Sequence, residues 1–345
     1  MSQQLGVGVL GAGPVTQAIH LPTLATLHDR FRVVHVMDVD GAVAAAVAAR
    51  TGARSTTDVQ TLLDDPAVDL VAVCSPHQFH AEQVEAAAAA GKRGVLCEKP
   101  LATTVEQAQR IADVSAGSGM PIVVGAMHVH DPAFVAASRA WGRLPDEATL
   151  VRVLVYLPSN DEMVDLSTEL AAPPPAPPDP GDLSVPETQA ALVRGGVLGL
   201  ATHNLPLVRR FVPSVEEVVS AGQVPPFGYE LTFRSGDTVA QLLALMPGQW
   251  RPEWRVHAYG PDMELDVAFP PSYVLAGSAT ATLTTTASTT SWRFPHNGYQ
   301  AEWIHLADVV SGRAELAVPV QAAVDDLLYA LALADGADTV ILEKR

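Results

Sequence analysis

Short apolar runs alternate with alanine-rich segments over the first 125 residues of the chain. The runs predict buried strands at 5–10, 31–37, 68–74, 94–97 and 121–124. The segments between them predict helices at 14–28, 41–50, 81–90 and 105–116. Strands that alternate with helices in this way indicate an α/β fold, with a parallel sheet buried on both faces.

The pattern changes after residue 125. Alternation at 150–157 predicts a half-buried strand, and further strand-like runs at 230–233, 238–245 and 255–259 predict a large, mostly antiparallel sheet. Proline is dense between 171 and 180, so we expect an irregular loop over about 159–188. Helices are predicted at 198–211, 299–310 and 320–335. The chain is therefore expected to form two domains, an α/β domain at 1–125 and an α+β domain at 126–345.

Bulk composition narrows the classes of partner and compartment. The net charge of −17 argues against nucleic acids and anionic membrane surfaces as partners, because both need basic patches. The uncharged stretch 267–292 carries prolines, a glycine and many Ser and Thr residues, so we do not expect a membrane helix there. Two cysteines, Cys74 and Cys97, indicate reduced thiols rather than a disulfide framework. The N-terminus shows no signal-peptide pattern, and we expect a cytoplasmic protein.

A glycine-rich turn follows the first predicted strand. Gly11-Ala12-Gly13-Pro14-Val15-Thr16 has the first two glycines of the Rossmann dinucleotide fingerprint, with Thr16 in the third position. The glycines permit the tight turn and a close approach of the pyrophosphate, and Pro14 suits the first turn of a helix. We expect Thr16 to loosen the contact between helix and strand. Gly11, Gly13, Pro14 and Val15 are candidate cofactor residues, although an ordinary strand-to-helix turn is the alternative.

An acidic pair follows the second predicted strand and bears on the choice of cofactor. Asp38 lies at the offset expected for a carboxylate that binds the ribose hydroxyls, and Asp40 follows closely. No Arg or Lys occurs from 38 to 48, so the two acids would repel a 2′-phosphate. The sequence therefore predicts NAD rather than NADP. Asp38 as the N-cap of the next helix is the alternative or additional role.

Several motifs together resemble the glucose–fructose oxidoreductase and inositol dehydrogenase family, Gfo/Idh/MocA. The most specific is Cys97-Glu98-Lys99-Pro100-Leu101-Ala102. Supporting motifs are the glycine-rich turn with His20-Leu21-Pro22, Ser75-Pro76-His77-Gln78-Phe79-His80, Gly91-Lys92, Gly125 with Asp131-Pro132-Ala133-Phe134, Gly195-Gly196 with His203, and Glu302. The resemblance implies a Rossmann domain followed by a domain with a large open sheet, through which homo-oligomers often form. It also implies redox chemistry on sugars, cyclitols or related polyols with a nicotinamide cofactor.

The resemblance assigns roles to individual residues. It implies that Lys99 lies beside the nicotinamide and the reacting oxygen, where an ammonium stabilises developing negative charge. His203 is implied as the acid/base that exchanges a proton with the substrate hydroxyl. Ser75, His77, His80 and Glu98 are implied to lie near the cofactor. A cis peptide before Pro100 is common in the family.

The chain departs from the family pattern around His203. Gly199, Asn204 and Pro206 stand where relatives carry Asp, so the usual carboxylate partner of the histidine is missing. Candidate replacements are Asp161, Glu162, Asp165 or a neighbouring histidine.

Two further histidines precede the second predicted sheet. We expect His128 and His130 to lie on a strand, share a face and, with Asn204, bind substrate beside His203. A three-histidine metal site is a minor alternative, and no metal is predicted. Trp292 and Trp303 are candidates for stacking on a sugar, with core packing as the alternative.

The leading hypothesis is an NAD-dependent dehydrogenase or ketoreductase that binds its substrate between Lys99 and His203. One alternative is a relative that keeps NAD bound and performs elimination, epimerisation or glycoside cleavage without net redox change. Another is a nucleotide-binding protein without catalysis. The proline-rich loop is interpreted either as a lid or oligomer arm, or as a surface insertion.

Overall fold

The computed structural model describes residues 4–173, 179–246 and 251–343. These divide into two compact units. The first comprises the described residues within 1–125, 164–175 and 299–327, and the second those within 126–163, 176–298 and 328–345. The sequence prediction put 164–175 and 299–327 into the second domain. The structure corrects this, because both segments pack with the α/β unit.

Fourteen strands occur in the described residues. They are β1 (Leu5–Leu10), β2 (Phe31–Met37), β3 (Arg54–Thr56), β4 (Leu70–Val73), β5 (Gly94–Cys97), β6 (Ile122–Val124), β7 (Leu150–Tyr156), β8 (Glu217–Gln223), β9 (Phe227–Ser235), β10 (Thr238–Met246), β11 (Glu253–Tyr259), β12 (Met263–Phe269), β13 (Thr280–Thr285) and β14 (Thr289–Trp292).

Thirteen α-helices accompany them in the same residues. They are α1 (Leu21–Thr26), α2 (Gly41–Ala49), α3 (Val59–Leu63), α4 (His80–Ala89), α5 (Val105–Ser118), α6 (Met127–His130), α7 (Pro132–Ser138), α8 (Leu144–Glu147), α9 (Asn160–Ser167), α10 (Pro186–Gly199), α11 (Leu205–Val208), α12 (Gly298–Val310) and α13 (Val320–Glu343). A π-helical turn, Thr16–His20, leads into α1, and 3₁₀ turns occupy His77–Phe79 and Ala201–His203.

The first unit is a Rossmann sheet. Its six strands are all parallel, in the order β3-β2-β1-β4-β5-β6, so the strand order reverses between β1 and β4. Ligands bind such sheets outside the carboxyl ends of the strands at the reversal. The apolar runs of β1, β4 and β5 are almost fully buried, as strands covered on both faces must be. Trp303, Leu306 and Ala307 of α12 join this core.

The second unit contains an eight-stranded sheet in the order β14-β13-β12-β11-β7-β10-β9-β8. Every neighbouring pair is antiparallel except β7 and β10, which are parallel. Burial alternates along most strands, so that one face is packed and the other is open. Both sheets confirm the predicted fold class.

One loop prediction and one helix prediction after residue 125 are wrong. The segment expected to be an irregular loop over 159–188 contains α9 and the start of α10, although part of its proline run, 174–178, lies outside the described residues. The helix predicted at 198–211 is instead the end of α10, a 3₁₀ turn and the short α11. The helix α10 is hard to predict from sequence because it contains Gly195, Gly196 and Gly199, and glycine is a poor helix former.

No helix in the three described ranges combines the length and the apolar composition that a bilayer crossing requires.

Adjacent glycines of α10 give a matched test of packing in the second unit. A Cβ on Gly196 would lie 2.6 Å from Tyr229 Cδ1, whereas a Cβ on Gly195 would meet nothing within 4 Å. We expect Gly196→Ala to lower the free energy of unfolding by about 1–3 kcal/mol through overpacking. Gly195→Ala should raise it by about 0.5–1 kcal/mol, because alanine favours the helix. Urea unfolding of the two variants measures both effects, and equal midpoints would contradict the packing.

Candidate functional site

The glycine-rich turn lies between β1 and the helical segment that begins at Pro14. Gly11 adopts φ of +93°, and a Cβ there would approach the Ser75 backbone nitrogen to 2.7 Å. Only glycine fits this position, because both the conformation and the close approach exclude a side chain. A Cβ on Gly13 would meet nothing within 4 Å, so this side of the turn is open. The turn therefore has the glycine backbone and the open space that a diphosphate requires.

Three buried or half-buried side chains hold the turn. Thr16 donates its hydroxyl to the Gly11 carbonyl at 2.6 Å, and Gln17 donates its amide to the Ala12 carbonyl at 2.7 Å. Asp38 accepts from the Ala12 backbone N–H at 2.8 Å. Thr16 is fully buried, and its hydroxyl adds a hydrogen bond within the turn that the glycine of the usual fingerprint cannot make.

The two acids after β2 have separate tasks. Asp40 is the N-cap of α2 and accepts from the backbone N–H groups of Ala42 at 2.8 Å and Val43 at 3.2 Å. Asp38 accepts from the Asp40 N–H at 3.0 Å and from the turn. The alternative that Asp38 caps the helix is therefore wrong. The Asp38 carboxylate therefore flanks the turn, whereas the Asp40 carboxylate caps α2.

His80 braces the two loops that follow β4 and β5. It is fully buried, its Nε2 lies 2.9 Å from the Ser75 carbonyl oxygen and its Nδ1 lies 3.0 Å from the Pro100 carbonyl oxygen. With both nitrogens occupied by backbone, His80 positions these loops. Ser75 in turn donates its hydroxyl to Gln83 at 2.7 Å, and His77 is exposed at the start of the 3₁₀ turn.

Lys99 follows β5 at the carboxyl edge of the sheet. The Lys99–Pro100 peptide is cis, as the resemblance implied, and Lys99 is half-buried. Glu98 is buried, and it accepts from the Lys99 backbone N–H at 3.1 Å. Burial lowers the pKa of the Lys99 ammonium, and the charge of Glu98 opposes that shift. Lys99 is thus a desolvated cation supported by an adjacent anion.

A buried histidine keeps Glu98 ionised. Glu98 Oε1 lies 2.8 Å from His20 Nε2, and the Trp303 indole donates to His20 Nδ1 at 3.2 Å. Because an indole N–H can only donate, Nδ1 carries the lone pair and Nε2–H donates to Glu98. Burial would raise the pKa of Glu98, but the His20 hydrogen bond, the charge of Lys99 and the Lys99 backbone N–H lower it below its ordinary value. Trp303 is a core residue, as the packing alternative predicted.

Glu302 is a second carboxyl beside this pair, and it behaves differently. It is fully buried, and neither of its oxygens has a hydrogen-bond partner among the described residues. Burial, reinforced by the charge of Glu98, raises the pKa of Glu302 well above its ordinary value. Glu302 is therefore held as a neutral acid next to an ionised one.

In the second unit, His203 lies in the 3₁₀ turn after α10. It is 9% exposed, and its Nδ1 is 3.2 Å from the Met127 sulfur. A thioether accepts weakly and cannot donate, so Nδ1 carries the proton and Nε2 the lone pair. The Trp254 ring meets His203 edge-on, with ring centroids 5.4 Å apart.

The interpretation of His128 and His130 as strand neighbours is wrong. Both lie in the short helix α6, where residues two apart point to different sides. His128 is buried and stacks on Phe269 with ring centroids 3.8 Å apart, whereas His130 is half-buried. Burial lowers the pKa of His128 to about 3, so this ring is neutral. Its centroid lies 6.0 Å from that of His203, which does bring these two together.

Asn204 has a structural task. It is fully buried and accepts the Trp254 indole N–H at 2.7 Å, which fixes the ring that packs against His128 and His203. Asp161, Glu162 and Asp165, the expected replacements for the missing carboxylate, are exposed on α9. Across the described ranges, no group of three or more His, Cys, Asp or Glu side chains has a geometry that could hold a metal ion.

Comparison with known proteins identifies a family for the domain in the first unit. Residues 5–126 match the model of the Gfo/Idh/MocA oxidoreductase family, NAD-binding Rossmann fold. Residues 5–126 are therefore an NAD-binding Rossmann domain of the Gfo/Idh/MocA family. Inositol 2-dehydrogenase 2 of Saccharopolyspora erythraea is 42% identical over 137 residues, which are 39% of this chain and 40% of that protein. Inositol 2-dehydrogenase of Paracoccus denitrificans is 40% identical over 139 residues, 39% of this chain and 41% of that protein. The chain thus spans about two fifths of the length of the relatives it matches.

Solved structures extend the likeness of fold to both units. UDP-N-acetylglucosamine 3-dehydrogenase of Acidithiobacillus ferrooxidans has a TM-score of 0.71 at 19% identity, over 99% of this chain and 100% of that one. A putative myo-inositol dehydrogenase of Sinorhizobium meliloti has a TM-score of 0.70 at 21% identity, over 99% and 98%. A 3-ketoreductase of Actinomadura kijaniata, solved in complex with NADP, has a TM-score of 0.70 at 18% identity, over 97% and 98%. The two-unit fold of these solved proteins therefore extends over nearly the whole chain.

The sequence alone did not indicate several residues of this candidate site. Gln17, Met127, Trp254 and Phe269 were not singled out, and His20 and Glu302 entered only as motif members. A polar Gln17 directly after a glycine-rich turn, on a helix that must pack on the sheet, was a usable signal. The contacts of Trp254 and Phe269 with His128 join residues more than 100 positions apart and leave no local pattern.

The neutral state of Glu302 predicts a pH-dependent stability. The pKa of Glu302 is higher in the folded chain than its value of about 4.5 in the unfolded chain. The stability that its protonated carboxyl contributes is therefore complete below pH 4.5, and it is lost as pH rises through the folded pKa. Glu302→Gln removes this titration. As pH rises from 5 to 8, we expect the melting temperature of Glu302→Gln to rise relative to that of the natural chain. The exposed Glu82→Gln is the control, and a pH-independent difference for Glu302→Gln would refute the assignment.

Proposed function

We propose that the protein is an NAD-dependent oxidoreductase that interconverts a hydroxyl and a ketone on a sugar, a cyclitol or a sugar-like metabolite. One observation carries the proposal. A desolvated ammonium, Lys99, and a glycine-rich turn with an open side lie at the same carboxyl edge of one parallel sheet. Strands β1, β4 and β5 are consecutive neighbours, so the turn after β1 and Lys99 after β5 are separated by about 10 Å along the edge.

The dinucleotide would be held by residues of the first unit. Gly11, Gly13, Pro14 and Val15 would receive the diphosphate, Asp38 the ribose hydroxyls, and Ser75, His77 and Lys99 the nicotinamide end. Glu98 and His80 support these groups from behind. When bound, the nicotinamide supplies the hydride acceptor or donor.

Lys99 is proposed to bind the reacting oxygen of the substrate. Its ammonium donates a hydrogen bond to that oxygen and stabilises negative charge as the carbonyl or alkoxide forms. Glu98 keeps the ammonium protonated against the cost of burial, because its ionised carboxylate lies in the adjacent residue. His20 secures Glu98 in turn.

His203 is proposed as the acid/base for the substrate hydroxyl. With the proton on Nδ1 directed at the Met127 sulfur, Nε2 carries the lone pair that accepts the hydroxyl proton. A thioether stabilises an imidazolium less than a carboxylate does. The rings of His128 and Trp254 also lie against this histidine.

The substrate class rests on the relatives. The curated relatives described above are inositol 2-dehydrogenases, and one protein of the same fold is a UDP-N-acetylglucosamine 3-dehydrogenase. Both names describe oxidation of a ring carbon that bears a hydroxyl. We therefore propose a six-membered ring polyol or sugar, with His130 available at the second unit as a further polar contact.

We also propose that the chain self-associates through the open face of the second sheet. Charges of both signs, such as Arg152 and Glu230, surround Leu243 there, and Leu243 is 44% exposed. An exposed apolar side chain within a mixed-charge face suits pairing with a second copy. Light scattering of the purified chain gives the number of copies.

The function is tested by turnover of a polyol panel with NAD, followed as absorbance of the reduced nicotinamide. We expect Lys99→Met to lower kcat by about 10²–10³-fold, because the charge-stabilising donor is lost. Lys99→Arg is the matched variant that keeps the cation, and His203→Gln tests the acid/base. Undiminished turnover in Lys99→Met would remove the proposed role. Product formation without net reduced nicotinamide would instead indicate an internally recycled cofactor.

The preference for NAD follows from Asp38 and Asp40, whose charges oppose a 2′-phosphate. We expect NADH to bind at least tenfold more tightly than NADPH, measured by cofactor fluorescence. Asp38→Asn should reduce the ratio of the NADPH Kd to the NADH Kd. Asp64 is an exposed acid of the same unit, and Asp64→Asn should leave this ratio unchanged. Equal affinities for the two cofactors in the natural chain would contradict the assignment.

A further inference from the structure

We infer that Gln17 and the backbone N–H of Ala171 form a clamp that orients the Ala12–Gly13 peptide toward the diphosphate of the cofactor. The inference rests on the proposed function, because it assumes that the turn binds a dinucleotide. It adds a positioning residue, Gln17, and a distant chain segment to the binding machinery. Neither belongs to the glycine fingerprint.

Gln17 is buried and makes two hydrogen bonds through one amide. Its Nε2 donates to the Ala12 carbonyl at 2.7 Å, and its Oε1 accepts from the Ala171 N–H at 2.9 Å. Gln17 is only 3% exposed, so water does not compete for these hydrogen bonds. The amide thus joins the turn to a backbone group that lies 154 residues along the chain.

The Ala171 N–H determines which way the amide faces. If the amide were reversed, its NH₂ would meet the Ala171 N–H and its oxygen would meet the Ala12 carbonyl. Both contacts would then be repulsive in a buried place, where unpaired polar groups are costly. The donor from residue 171 therefore makes Gln17 a donor toward the turn.

This direction fixes the Ala12–Gly13 peptide plane. In a trans peptide, the carbonyl and the following N–H point in opposite directions. Because the Ala12 carbonyl points at Gln17, the Gly13 N–H points away from Gln17. The space beside the Gly13 Cα is open, since a Cβ there would meet nothing within 4 Å. A backbone donor at this residue, beside a helix start, suits an anionic diphosphate.

The preceding peptide is held in the same manner by other residues. Its Gly11 carbonyl accepts from Thr16 and its Ala12 N–H donates to Asp38. Both of its polar groups are therefore used within the protein. The orientation of the diphosphate donor depends on Gln17 alone among these three side chains.

The segment that supplies Ala171 is anchored independently. Arg50, at the end of α2, donates to the Glu169 carbonyl at 2.6 Å and to the Thr168 hydroxyl at 3.4 Å. Ala171 itself packs against the hydrophobic core of the first unit. Residues 168–171 are therefore part of the α/β unit, and their N–H is presented to Gln17 at a fixed place.

The test compares three probes that differ in the diphosphate. NADH and ADP-ribose contain it, whereas adenosine does not. We expect Gln17→Met, which keeps the side-chain length and removes both hydrogen bonds, to raise the Kd for NADH and ADP-ribose about tenfold. The Kd for adenosine should change by less than about twofold. NADH is followed by its fluorescence and the other probes by competition, with far-UV circular dichroism to verify the fold.

A second variant tests the distant donor without altering Gln17. Ala171→Pro deletes the N–H and should raise the Kd for NADH and ADP-ribose as Gln17→Met does. It keeps the inference testable if Gln17→Met does not fold. Ala172→Pro, which leaves the Ala171 N–H in place, is the matched control.

The outcomes separate the inference from the function on which it rests. NADH affinities within twofold of the natural chain in both Gln17→Met and Ala171→Pro would overturn the clamp and leave the function intact. An equal loss of adenosine binding would also overturn it, because a general distortion of the site would then explain the effect. A natural chain that binds neither NADH nor ADP-ribose would overturn the proposed function and the clamp together.

Discussion

The hydrogen bonds that hold the Gly11–Gly13 turn are the constraint on which the first unit depends. Gly11 approaches the backbone after β4 so closely that no side chain fits, and Thr16, Gln17 and Asp38 occupy the polar groups of the turn. The close approach aligns the ends of β1 and β4. His80 then ties the loop after β4 to the loop after β5. Lys99 is thereby held at an edge that the turn defines.

Burial gives the charged residues at this edge different protonation states. Glu98 is buried but ionised, because His20 donates to it and Lys99 lies beside it. Glu302 is buried without such partners and is neutral. The two carboxyls illustrate the general rule that desolvation favours the neutral form unless a donor or a cation compensates for it.

In the second unit, aromatic rings and a thioether lie against His203. Trp254 is fixed by Asn204, and it contacts both His128 and His203 at right angles. The Met127 sulfur lies 3.2 Å from His203 Nδ1, and a thioether can only accept there. This contact favours the tautomer of His203 that carries its proton on Nδ1.

The amino-acid sequence by itself determined the α/β fold of the first unit, the glycine-rich turn, the acid pair after β2 and the position of Lys99. These features are local, because strand periodicity, glycine spacing and charge are read from neighbouring residues. Tertiary structure decided what depends on distant segments. Gln17 is paired with Ala171, His20 with Trp303 and His128 with Phe269, and no nearby residue signals any of these contacts. The histidines of α6 and the course of α10 were misjudged for the same reason, since packing against the second sheet overrode weak local propensities.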